Sequence, residues 1–101
     1  MDNLKEDLPI SSDSKNKVSK IDLYKKALSE LDIIIKSNSD IESYYNERGL
    51  LHSKLRKNND AIKDFSKAIK INSKSEQAYK NRGNIYSKMK KYKEAIKDYT
   101  R

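Results

Sequence analysis

One stretch of this chain is written twice. Glu42-Ser43-Tyr44-Tyr45-Asn46-Glu47-Arg48-Gly49 returns 34 residues later as Glu76-Gln77-Ala78-Tyr79-Lys80-Asn81-Arg82-Gly83. Ser53-Lys54 returns as Ser87-Lys88, and Ala61-Ile62-Lys63-Asp64-Phe65 as Ala95-Ile96-Lys97-Asp98-Tyr99. A fixed period of roughly 20–50 residues marks an array of small supersecondary units, each too small to bury an apolar face alone. Such units stack, so the chain must form a layer rather than a globule around a central core.

The units are helical. Two Gly and one Pro leave little turn chemistry, and 38% charged against 35% hydrophobic residues suits a thin core. Apolar residues recur at helical spacing: Ile21, Leu28, Leu31 and Ile35 in the first segment, then Tyr45, Leu51 and Leu55, and Tyr79, Ile85, Tyr86 and Met89 in the duplicated ones. Ser39-Asp40-Ile41-Glu42 and Ser73-Lys74-Ser75-Glu76 fit capping boxes, which predicts helices from there to about Arg56 and Lys90. Partner helices over about Asp60–Ile71 and Lys93–Arg101 bring Ala61, Ile62, Phe65, Ala68 and Ile69, then Ala95, Ile96 and Tyr99, to one face. Connections of about 2–5 residues force each pair antiparallel. The expected fold is all-α, a solenoid of antiparallel helix pairs with about five helices.

Residues 1–16 show no sustained period and are expected to form a disordered or loosely packed leader. Residues 17–37 read as one helix, residues 42–75 as a complete repeat, and residues 76–101 as a repeat whose second helix stops mid-pattern. That last feature suggests a piece of a longer array. With no Cys, disulfides and thiolate metal sites are excluded. The start lacks an apolar signal-peptide core, and no apolar run approaches the ~20 residues of a membrane span. The default location is cytoplasmic. The net charge of +8 comes from lysines dispersed along the chain. It reads mainly as solvated helix surface and argues against a dedicated nucleic-acid or membrane partner.

These residues resemble the tetratricopeptide repeat, a 34-residue helix–turn–helix unit. Tyr45 and Tyr79 fall at the family's first aromatic position, Gly49 and Gly83 at its Gly, and His52 and Tyr86 at its second aromatic. Ala61 and Ala95 fall at its helix-B Ala, and Phe65 and Tyr99 at its Phe. Gly49 and Gly83 would let two helices approach closely, with Ala61 and Ala95 facing them. Arg48 and Arg82 replace a Leu, their aliphatic stems covering apolar surface. Ser39 and Ser73 replace a Pro. Stepping back by one period aligns Ala27 with Ala61 and Leu31 with Phe65, so residues 17–37 read as the second helix of an eroded repeat or as an N-terminal capping helix.

Nothing suggests catalysis or a cofactor. His52 is the only histidine and reads as a ring filling an aromatic slot; no cluster of ligand types accompanies it. Asp64 and Asp98 each follow a lysine and are expected to be solvated or in weak surface ion pairs. The resemblance implies a protein–protein interaction scaffold that binds a peptide or helix in a concave groove lined by the first helix of each repeat. Ser43, Asn46, Glu47, Leu50, Ser53 and Lys54 would supply one wall. Gln77, Lys80, Asn81, Asn84, Ser87 and Lys88 would supply the next, polar and positive, suited to an acidic or C-terminal segment. Lys80 and Asn84 match in type and spacing two residues of the carboxylate clamp of some family members. Two further readings stay open: a basic helical module associating with nucleic acid through its positive surface, and self-association through uncapped solenoid ends.

Overall fold

The computed structural model describes residues 19–101, and the expected leader lies outside them. Five helices follow one another among the described residues, with no strand: α1 (Lys20–Ser37), α2 (Glu42–Lys54), α3 (Asn58–Ile71), α4 (Glu76–Lys88) and α5 (Tyr92–Tyr99). Each helix packs on its neighbour in sequence, and α2 also touches α4. The result is a slab only 18 Å thick, the width of two helices. No described helix is long and apolar enough to cross a membrane.

The helix starts differ from those expected. Ser39 and Ser73 cap nothing. The residue before α2 is Ile41, which supplies no side-chain cap, and the one before α4 is Ser75, whose hydroxyl accepts from the Ala78 amide. Only one copy has a hydroxyl in register with the helix start, so a reciprocal box cannot recur. At the start of α1 Ser19 does the same work, accepting from the Asp22 amide.

The tight turns inside each pair are alike in detail. The Lys57 amide donates to the His52 carbonyl at 2.8 Å and the Arg56 amide to Ser53 at 2.9 Å. Lys91 and Lys90 repeat both bonds with Tyr86 and Ser87. This double bond pattern closes a helix through one left-handed residue, usually Gly. Here that residue is Arg56 or Lys90, each with φ 62°. A side chain at that conformation costs about 1 kcal/mol.

Glycine is required where an aromatic ring presses on a helix. A Cβ on Gly49 would lie 2.5 Å from the Phe65 ring, and one on Gly83 would lie 2.7 Å from the Tyr99 ring. The aromatics, not Ala61 and Ala95, therefore face the glycines. Phe65 is fully enclosed among Ala61 and Ile85, which is worth about 2–3 kcal/mol. A second cluster joins Ile35, Tyr45, Ala68 and Ala78 across three helix boundaries. Three residues expected inside are exposed instead. Ile21 lies in the first turn of α1, and Ile96 and Tyr99 lie on α5, which among the described helices packs on α4 alone.

The largest correction concerns the two aspartates. Asp64 and Asp98 are buried, and each is gripped by both arms of a guanidinium. Arg48 Nε and Nη2 donate to Asp64 at 2.9 Å, and Arg82 Nε and Nη2 donate to Asp98 at 2.8 Å. The third nitrogen reaches back to the preceding helix: Arg48 Nη1 meets Asp32 at 2.9 Å, and Arg82 Nη1 meets the Ser66 hydroxyl at 3.0 Å. Each arginine thus pins three helices, and the hydrogen bonds from Asp64 and Asp98 raise its pKa above the ordinary guanidinium value. Arg48 also lies over the Tyr45 ring and Arg82 over Tyr79. His52 fills its slot beside the pair, Nε2 standing 3.5 Å from Asp64.

Two outcomes follow for stability. Arg48→Leu strands a buried carboxylate and should destabilise the chain by about 3 kcal/mol, whereas adding Asp64→Leu should recover most of that loss; urea unfolding of the single and double variants measures it. Gly49→Ala should cost about 1–3 kcal/mol by overpacking against Phe65. Thermal unfolding showing no loss would contradict the contact.

Candidate functional site

Helices α2 and α4 are equivalent members of successive pairs and lie side by side. Lys88 Nζ reaches Ser53 Oγ at 3.5 Å between their last turns. Between them runs a cleft of about 350 Å³. Of the residues expected in the groove, Leu50, Ser53, Asn81, Asn84, Ser87 and Lys88 line it together. Phe65, Ile85 and Tyr99 complete the lining.

The remaining groove residues are dispersed. Lys80 joins Asn84, Tyr79, Tyr99 and Arg101 in a second cleft of about 390 Å³ between α4 and α5. Glu47 joins Leu50, Leu31 and Ile34 in a third of about 440 Å³ between α1 and α2. Lys54 turns away toward α1, its Nζ 5.7 Å from the centre of the Tyr24 ring. Ser43 and Gln77 are exposed and line none of these clefts.

Asn46 is not groove surface at all. It is buried, and its Nδ2 donates to Glu42 Oε2 at 3.4 Å while Asn72 Nδ2 donates to the other carboxylate oxygen at 2.9 Å. The Glu42 carboxylate reaches forward to the next unit rather than back to its own helix start, tying two loops. Ser75, Asn72 and Asn46 hydrogen bonds hold its carboxyl below the usual range against a small opposing effect of burial.

Polar chemistry in the main cleft is partly committed and partly free. Tyr99 Oη donates to Asn84 Oδ1 at 2.6 Å, which leaves the Asn84 amide NH₂ to donate. The Asn81 Nδ2 is buried with no hydrogen-bond partner. Tyr99 lines this cleft without being among the residues expected in the groove. Its one distinguishing signal was the hydroxyl it carries where the other copy has Phe65. Among the described residues no group of His, Asp and Glu is arranged to hold a metal ion.

A tetratricopeptide repeat family model matches residues 43–75 and 76–101. No curated protein sequence matches the chain. Among solved structures, the TPR domain of Arabidopsis OM64 is 32% identical with a TM-score of 0.74, covering 78% of this chain and 65% of that one. A crystal structure of MamA is 26% identical with a TM-score of 0.76 and covers 80% of this chain; the chain spans about half its length, 47%. The second TPR of Spaghetti (RPAP3), solved with the HSP90 peptide SRMEEVD, shares the fold at 23% identity and a TM-score of 0.73, covering 76% of this chain and 71% of that one.

The Glu42 network predicts a small pH dependence. A carboxyl whose folded pKa is lowered stabilises the fold above its unfolded pKa, and that contribution disappears as pH falls through the lower folded value. Because Glu42 is near solvent, the effect should be a few tenths of a kcal/mol. Thermal unfolding of the parent and Glu42→Gln should differ at neutral pH and converge in acid.

Proposed function

Because this chain belongs to the tetratricopeptide repeat family, we propose that it is a non-catalytic protein–protein interaction module that seats a partner's peptide or helix in the cleft between α2 and α4. The observation that carries this reading is the unpartnered, buried Asn81 Nδ2 within a polar cleft. A buried amide donor left unmatched costs about 1–3 kcal/mol, and the carbonyl of an extended peptide recovers it. Asn84 and Ser87 add donors beside it, and the exposed Leu50 side chain and Tyr99 ring give a side chain of the peptide an apolar seat. Lys88 at one end and Lys80 in the adjoining cleft favour an acidic segment or a C-terminal carboxylate.

The test is a display of acidic and C-terminal peptides against the full chain and against Asn81→Ala, Asn84→Ala and Lys80→Ala variants. Captured peptides should lose about tenfold in affinity or more, near 1.4 kcal/mol, with the thermal transition retained. Binding that all three variants leave unchanged would remove this cleft as the site.

A further inference from the structure

Positive charge that is dispersed along the sequence is gathered by the fold. Both turns inside the helix pairs open on the same edge of the slab. Lys54, Arg56 and Lys57 stand at the first, and Lys88, Lys90, Lys91 and Lys93 at the second; all are exposed. No Asp or Glu occurs from 54 to 59 or from 88 to 93, and Asp60 and Glu94 follow in the first turns of the next helices. Two contacts show that the edge is continuous: Lys88 Nζ touches Ser53 of the neighbouring turn, and Lys54 Nζ lies over Tyr24 in the first turns of α1. The opposite edge, built from 38–41 and 72–75, is near neutral, with Asp40 and Lys74 as its charges and Glu42 and Glu76 opening the helices that follow.

The cations on the basic edge run against what the fold itself prefers. Arg56 and Lys90 occupy the left-handed position that suits glycine, and Lys57 and Lys91 occupy the helix-start position that suits Ser, Thr, Asp or Asn and make no capping bond there. A lysine at the positive end of a helix dipole is also electrostatically unfavourable. Both copies make all these choices, so folding does not explain them. Tyr92 adds an exposed ring between Lys91 and Lys93.

We propose that this edge binds single-stranded nucleic acid, with its cations on the backbone phosphates and Tyr92 stacked on a base. A row of cations with an interleaved aromatic is how such strands are held without sequence readout. A lipid surface would need apolar side chains to insert at the same place. In the two turns Leu55 and Met89 are half-buried, though Ile21 and Leu23 at the start of α1 are exposed. Anionic vesicles are therefore the comparison arm.

The experiment measures anisotropy of a labelled oligothymidine with the full chain across a salt series. The edge variant carries Arg56→Gly, Lys57→Asn, Lys90→Gly and Lys91→Asn; a matched control carries Lys36, Lys63, Lys70 and Lys74 each changed to Gln. The edge variant should bind at least tenfold more weakly and lose roughly 3 from the slope of log affinity against log salt, at about 0.7 per phosphate contact. Its melting temperature should rise, because each replacement suits its backbone. The control should bind within about twofold of the parent. Equal weakening in both variants, no binding by the parent at physiological salt, or edge-dependent capture by anionic vesicles in place of oligonucleotide would each overturn the proposal.

Discussion

Two buried arginine–aspartate pairs hold this slab in register. A thin array of helix pairs has little apolar core with which to fix how one helix sits on the next, because hydrophobic contact is not directional. The paired hydrogen bonds of Arg48 on Asp64 and Arg82 on Asp98 supply direction. They join the two helices of a pair, while the third nitrogen of each arginine ties that pair to the helix before it. The aromatic ring that presses on Gly49 or Gly83 then has one seat, and the side-by-side arrangement of α2 and α4 that forms the cleft follows from it.

Helix number, pairing and most of the core were legible in the sequence because they depend on periodicity, which one chain displays openly. Phe65, Ala61 and Ala68 were placed correctly for that reason. What was not legible depends on contacts across helices. Asp64 looked like an ordinary solvated carboxylate because its partner, Arg48, lies 16 residues away on another helix. Asn46 looked like groove surface because its position in the repeat suggested it, yet its amide serves the loop network of Glu42 and Asn72. The capping boxes failed for a different reason: the spacing of Ser and Glu was right, but the helices begin at the Glu itself.

The site divides along the same line. Leu50, Ser53, Asn81, Asn84, Ser87 and Lys88 share a cleft because they repeat the turn spacing of two parallel-placed helices. Lys80 and Glu47 leave it for neighbouring clefts because each lies on the flank of its helix that faces the adjoining second helix. Charge behaves in the opposite way. Composition suggested an even coat of lysine, and only the folding of both tight turns onto one edge shows that part of it is ordered in space.

The same position in the two copies also has unequal surroundings. Phe65 is wholly enclosed, while Tyr99, its counterpart, is about half exposed. In an array where each unit is steadied only by its neighbours, stability is a local quantity that varies along the chain. The described helices should therefore not open as one body. Amide protection should be deepest in α3, which packs on both α2 and α4, and shallower around Tyr99 than around Phe65.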